Sequence, residues 1–112
     1  MVTKAAAVTA AGAGAAVVRA LGAEGRAWLP GRCAGLVGRG DAAREAGALE
    51  RLDRTAAALA AAEEGDRDRL RAVHAVMWQG EFAALLDAAG TADERDRLLD
   101  DLTALVRDVD AA

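Results

Sequence analysis

The sequence predicts an all-α protein, and three observations predict it. Alanine, the best helix former because its side chain loses no entropy on folding, supplies 32 of the 112 residues. Three aromatic residues and no isoleucine make a poor composition for β-strands. In the second half of the chain, apolar residues recur at helical intervals and never alternate over any length. The length fits a single domain, residues 1–112.

The first predicted helix, residues 1–22, is rich in alanine and glycine. Its uncharged run, residues 5–18, would span about 21 Å as a helix, and extending it to residue 23 with Arg19 snorkelling gives about 29 Å, close to the thickness of a bilayer core. Four interpretations stay open: a small-residue core helix, a signal peptide with Lys4 before its apolar run and small residues near Ala20 to Gly22, a flexible tail, or a helix that packs and is later released to a membrane or to another copy.

The second predicted segment, residues 23–38, continues the first with a bend. Proline removes a backbone donor and clashes with the preceding helical turn, so Pro30 is predicted to form the kink. Gly38, Arg39 and Gly40 end this segment.

Three amphipathic helices follow, over residues 41–64, 66–89 and 91–112. Asp41 is the predicted N-cap of the first of them, and Gly65 its C′ residue. Gly90 ends the second, and Thr91 with Glu94 forms a capping box at the start of the third. Short connections make consecutive helices antiparallel, so we expect an antiparallel four-helix bundle, or five helices with the first two joined by a bend near Pro30.

The predicted core lies on these three helices. The fourth helix has a wide apolar surface and is expected to lie at the centre. One stripe holds Leu70, Val73, Met77 and Ala84, and beside it lie Trp78, Phe82 and Leu85. Six large side chains are predicted to pack in the core: Leu52, Leu59, Trp78, Phe82, Leu102 and Leu105.

Composition excludes several classes of function. The chain has no serine, so a serine nucleophile is impossible, and its one cysteine, Cys33, excludes an intrachain disulfide. The positions around its one histidine, His74, hold no ligand cluster, and nothing in the spacing predicts that Cys33 and His74 meet. An isoelectric point near 4.9 and three aromatic residues argue against nucleic-acid binding. We predict no enzyme, no cofactor and no metal.

Charge is divided unevenly along the chain. Residues 1–40 carry five basic residues and one acidic residue, whereas residues 41–112 carry nine basic and 17 acidic residues. Either the basic charges complement the acidic helices within the fold, or the N-terminal segment has a function of its own.

Four stretches of the chain carry a resemblance to known proteins: Val17-Val18-Arg19-Ala20, Ala27-Trp28, Leu36-Val37-Gly38-Arg39-Gly40-Asp41 and Glu50-Arg51-Leu52-Asp53-Arg54. They resemble a group of small all-helical actinobacterial proteins. These proteins begin with an Ala/Gly-rich segment and carry a tryptophan in the fourth helix, here Trp78, followed by Phe82 and Leu85-Leu86. Some of them look like bacterial Bell domains, which are coupled to amyloid-type signalling motifs. Bell domains are similar to fungal HeLo-type domains and to the mixed-lineage-kinase-like four-helix bundle.

This resemblance implies a cell-death effector of bacterial immunity that permeabilises membranes. It implies a cytoplasmic protein that relocates to the inner face of the membrane, forms a homo-oligomer there and answers to an amyloid-motif signalling partner. The membrane-active element would be residues 2–21, with Val8, Gly12, Gly14, Val17 and Val18 as its apolar face and the basic residues Lys4, Arg19 and Arg26 facing anionic lipid. With no asparagine and only Gln79, the chain cannot itself template an amyloid signal.

The leading hypothesis is therefore a non-enzymatic, membrane-targeting helical bundle that acts through its N-terminal helix. The alternative is an adaptor bundle with no membrane activity, in which the N-terminal run is ordinary core and an exposed apolar stripe binds a partner helix or a second copy. Burial of the first helix distinguishes them, because a packed first helix favours the adaptor and a peripheral one favours the effector.

Overall fold

The computed structural model describes residues 3–112, apart from the side chain of Glu24, and this part of the chain is all-α. Its helices are α1 (Lys4–Leu21), α2 (Leu29–Gly38), α3 (Ala42–Ala61), α4 (Arg67–Ala88) and α5 (Ala92–Ala111), with a 3-10 turn, Glu24–Ala27, between α1 and α2. The all-α prediction is confirmed. Residues 1 and 2 of the predicted first helix lie outside the described residues.

Helix α1 lies at the centre of the fold and contacts each of the other four helices. The prediction that the fourth helix is central is wrong. Helix α4 packs mainly against α1 through one apolar face and leaves a second apolar face uncovered. Small side chains let helices approach closely from several sides, so the alanine-rich α1 takes the central place. Its buried residues are Ala6, Ala10, Ala13, Gly14, Ala16, Val17, Val18, Ala20 and Leu21.

Contacts between helix ends give the directions of α1, α4 and α5. Arg19 in the last turn of α1 forms an ion pair with Asp110 near the end of α5, at 2.6 Å, so these helices run parallel. Gly22, immediately after α1, lies close to Arg71 in the first turns of α4, so α1 and α4 are antiparallel.

Polar contacts join α3 to α4 in antiparallel orientation. Arg51 pairs with Glu81 at 3.2 Å, and one turn further along α3 the Thr55 hydroxyl accepts a hydrogen bond from Trp78 Nε1 at 3.1 Å. Thr55 Oγ1 also lies 3.2 Å from His74 Nδ1. The Thr55 hydroxyl therefore satisfies the buried indole N–H of Trp78, which would otherwise be a costly unpaired donor.

Two predicted helix starts agree with the structure. The Asp41 carboxylate accepts hydrogen bonds from the backbone N–H groups of Ala43 and Arg44, and the Thr91 hydroxyl accepts one from the N–H of Glu94. The Glu94 carboxylate reaches back to the N–H of Gly90, one residue before the cap, so the capping box is displaced by one position.

Two predicted helix breaks are wrong. Pro30 is the second residue of α2 and forms no kink, because a residue without an N–H is harmless in the first helical turn; the chain turns instead at residues 22–28.

Helix α3 ends at Ala61, not at residue 64, and Gly65 is no left-handed C′ residue, since only Arg39 and Gly40 have positive φ within residues 3–112. Acidic residues 63 and 64 would meet the negative end of the helix dipole, which favours the earlier end.

Candidate interaction surface

The residues predicted to form a membrane-active face on the first helix do not share one face. Gly14, Val17 and Val18 are buried at the centre of the fold, and Gly12 is half-buried. Val8 alone among them is exposed, with 67% of its surface accessible. In the folded chain, therefore, these five residues cannot meet a bilayer together.

The basic residues predicted to face lipid lie on the surface, and two of them bond within the fold. Arg19 Nη2 donates to Asp110 Oδ1 at 2.6 Å, and Arg26 Nε donates to the backbone carbonyl oxygen of Leu21 at 3.3 Å. Lys4 is exposed in the first turn of α1.

A second ion pair joins α2 to α5. The Arg32 guanidinium donates a hydrogen bond to the Asp108 carboxylate and lies over the Trp28 ring, 5.9 Å from its centroid. The hydrogen bond from Arg32 lowers the pKa of Asp108 below its ordinary value. Together with the pair of Arg19 and Asp110, this contact supports the interpretation that N-terminal basic residues complement the acidic C-terminal helix.

The six residues predicted as core are buried, and they come from three helices. Trp78 and Phe82 of α4 form a tilted aromatic pair with centroids 6.0 Å apart. All six have relative exposures of 7% or less: Leu52, Leu59, Trp78, Phe82, Leu102 and Leu105.

Opposite Trp78 and Phe82, helix α4 presents an exposed apolar strip. Val73, Val76 and Met77 are 53%, 66% and 50% accessible, although residues of these types are usually buried. At 3.6 residues per turn, the strip covers about 100° of the helix. A Cβ atom at Gly80 would meet nothing within 4 Å, so the strip has an open notch at its centre. We call this surface the α4 face; it consists of Val73, Val76, Met77, Gly80 and Ala84.

The sequence periodicity identified apolar residues of this strip but predicted that they face the core, whereas the structure leaves them exposed. The periodicity predicts that Val73, Met77 and Ala84 belong to a wide core-facing surface, and it does not include Val76 in that surface. A helix with apolar residues on both sides has the same pattern whether one side or both sides are covered, so the pattern could not show that this strip is exposed.

The two candidate nucleophilic or metal-binding side chains have structural roles. Cys33 is buried, and burial, with a smaller contribution from Glu81, raises the pKa of its thiol to about 12, so it is a poor nucleophile. His74 lies against Thr55. Among the described residues, no three His, Cys, Asp or Glu side chains are grouped as metal ligands.

A cleft of about 660 Å³ lies where the ends of α1 and α5 meet. Arg19, Arg71 and Asp110 contribute charges of both signs to its walls, and Trp28 and Val109 contribute apolar surface. Because Arg19 and Asp110 already pair with each other, the cleft has no unpaired charge from these two residues for a ligand.

Helix α1, Lys4–Leu21, is long and apolar enough to cross a membrane by length and composition alone. Half of its residues are buried inside the fold. Central helices of water-soluble proteins and signal sequences have the same length and composition, so this property alone does not decide between them.

Comparison with known proteins finds no family model, no curated protein and no solved structure that matches the chain. The resemblance to Bell-type domains therefore stays a prediction that depends on the residues quoted for it.

Proposed function

We propose that this chain is a non-enzymatic interaction module, an adaptor bundle whose α4 face binds another protein. The observation that carries the proposal is the pairing of a packed central α1 with an uncovered apolar strip on α4. Three neighbouring large apolar side chains, Val73, Val76 and Met77, stay at least half exposed although such residues are usually buried, and this supports a contact with another protein. The bundle we propose is the five-helix form of the predicted antiparallel bundle, with each helix antiparallel to its chain neighbours.

The burial of α1 supports the adaptor over an effector that releases this helix. Burying one valine or leucine side chain stabilises a protein by about 1.5–3 kcal/mol. Val17, Val18 and Leu21 are each 3% exposed or less, so these three side chains alone contribute about 5–9 kcal/mol. The whole stability of a small domain is only about 5–15 kcal/mol, so releasing α1 would be equivalent to unfolding the chain.

The membrane effector is the second candidate function, and the span-length apolar α1 favours it. In that proposal an activating partner supplies the free energy that releases α1, and the five small or apolar residues of the predicted face become accessible together. Lys4, Arg19 and Arg26 would then contact anionic lipid.

A photo-crosslinking amino acid at Met77 tests the interaction module in the native host. We expect one defined protein, either another chain or a second copy, to be captured at Met77 because this side chain is half exposed within the α4 face. The matched control is the same amino acid at Thr103, an exposed position on α5. Identical products at both positions, or none at Met77, would refute the proposal.

Dye release from vesicles of phosphatidylcholine and phosphatidylglycerol tests the effector. We expect none from the intact chain. Deleting residues 1–21 would remove the central helix, so the informative variant is Val8→Glu, which changes an exposed side chain and preserves the core. Leakage by the intact chain that Val8→Glu abolishes would overturn the adaptor and establish α1 as a membrane-active element.

A further inference from the structure

We infer that the α4 face binds a second copy of this chain, in a symmetric dimer whose two α4 helices lie antiparallel. This inference rests on the proposed function and names its partner. It depends on the order of large, small and charged residues along the exposed side of α4.

The α4 face is complementary to itself when it is reversed. Its N-terminal half carries the large side chains Val73, Val76 and Met77, and its C-terminal half carries the small residues Gly80 and Ala84. In an antiparallel pair that crosses at the level of residue 78, Val76 faces Gly80 of the second copy and Val73 faces Ala84. Val73 and Val76 then each enter the space left by a small residue, as close helix packing requires, and the two Met77 side chains lie near the crossing point.

The charges at the two ends of the strip favour the same arrangement. Arg69 lies one turn before Val73 on the exposed side of α4, with 72% of its side chain accessible, and Asp87 lies about one turn after Ala84 on the same side. Reversal of the second copy brings Arg69 of each chain opposite Asp87 of the other. Arg69 already makes an exposed ion pair with Asp66, and Asp87 has an interaction within its own chain, so the new contacts add to existing ones.

A parallel dimer of the same face is disfavoured by both properties. It would place Arg69 against Arg69 and Asp87 against Asp87, which repel. It would also place Val76 against Val76 while the two Gly80 notches face each other across an unfilled gap. Antiparallel packing avoids both the repulsion between like charges and the gap between the two Gly80 residues. The residues of the α4 face therefore favour an antiparallel dimer over a parallel one.

The strip is small, which determines how tightly the copies bind. From Val73 to Ala84 it is about 17 Å long and about 10 Å wide. A stable interface buries about 800 Å² on each partner, several times the area of this strip. We therefore expect a weak, reversible dimer.

Disulfide trapping between two variants, each with one cysteine added to native Cys33, tests the register. An equimolar mixture of Val73→Cys and Ala84→Cys is expected to form a mixed disulfide under mild oxidation. Each variant alone is expected to form no disulfide-linked dimer, because copies of one position lie about 16 Å apart along the antiparallel pair, beyond the reach of a disulfide. Native Cys33 is buried and protonated, so it does not compete. A mixture of Thr103→Cys and Ala84→Cys is the negative control.

Sedimentation equilibrium from micromolar to millimolar concentration tests the dimer without cross-linking. Val76→Glu is expected to leave a folded monomer throughout, because the carboxylate would be buried in the interface. The matched control is Val8→Glu, at a valine of nearly the same exposure (67% against 66%) outside the α4 face, which is expected to dimerise like the native chain. Circular dichroism of both variants would check that they are folded.

The outcomes separate this inference from the function on which it rests. A native chain that stays monomeric at millimolar concentration refutes self-association, and so does a mixture of Val73→Cys and Ala84→Cys that forms no mixed disulfide. Retained capture of a different protein at Met77 would then leave the interaction module standing. Disulfide formation by Val73→Cys alone would refute the antiparallel register. Loss of both self-association and capture at Met77 would refute the inference and the proposed function together.

Discussion

Replacing Gly14 by alanine is the sharpest test of the packing between α1 and α4. A Cβ atom at this position would overlap the backbone carbonyl oxygen of Ala75 and lie 2.8 Å from the backbone N of Gln79. These are main-chain atoms of a packed helix, so no side chain can rotate away, and α1 and α4 must separate. The substitution therefore acts on the whole contact between the two helices.

The magnitude follows from two opposing contributions. Inserting a carbon atom into a close-packed contact destabilises by about 1–3 kcal/mol, and the rigid backbone places this site at or above the upper end. Alanine regains about 1 kcal/mol of helix propensity relative to glycine. We expect Gly14→Ala to lower the free energy of unfolding by about 2 kcal/mol, which lowers the melting temperature by about 10 °C in a domain of this size.

Gly12→Ala, one half-turn earlier in the same helix, is the matched control. A Cβ atom there would meet only Val106 Cγ2, at 3.9 Å, which is an ordinary van der Waals contact. We expect this variant to be about 0.5–1 kcal/mol more stable than the native chain. Urea unfolding followed by circular dichroism measures both variants. If Gly14→Ala is as stable as Gly12→Ala, the close approach of α1 to α4 is wrong.

Two further predictions concern polar contacts. Thr55→Val leaves the buried Trp78 N–H without an acceptor and should destabilise the chain by about 1–3 kcal/mol in urea unfolding, whereas Thr103→Val, at an exposed position, should change stability by less than about 0.5 kcal/mol. The hydrogen bond from Arg32 lowers the folded-state pKa of Asp108. The stabilisation that the ionised Asp108 carboxylate gives the fold is therefore complete above the ordinary carboxyl pKa of 3.8 and is lost as the pH falls through the lower folded-state pKa. Arg32→Gln should flatten this acid-side loss in unfolding experiments at a series of pH values, and an unchanged slope would contradict the assignment.

The Gly14 prediction changes how any activity experiment on α1 is interpreted. A bulky or charged substitution at Gly14 or Val17 damages the core, so lost activity in such a variant would report unfolding as readily as a lost membrane contact. Substitutions at Val8 avoid this ambiguity because its side chain lies outside the core. Tests of the effector and of the adaptor therefore need exposed positions on α1 and α4.

The sequence by itself determined the helical class and several helix boundaries. The caps at Asp41 and Thr91 could be predicted because a side chain and the backbone N–H groups it satisfies lie within one turn, so the information is local. Pro30 was misplaced for a related reason, since proline suits a first turn and breaks an interior one, and composition alone did not distinguish the two.

Only the tertiary structure decided which apolar surfaces are covered. Helix α4 carries Trp78 on one side and Met77 on the other, and nothing within the helix indicates which side meets α1. In the same way, Gly12 and Gly14 are neighbours in sequence, yet only Gly14 faces a packed backbone. Both distinctions depend on contacts between residues far apart in the chain. They place α1 at the centre and leave the α4 face open for a partner.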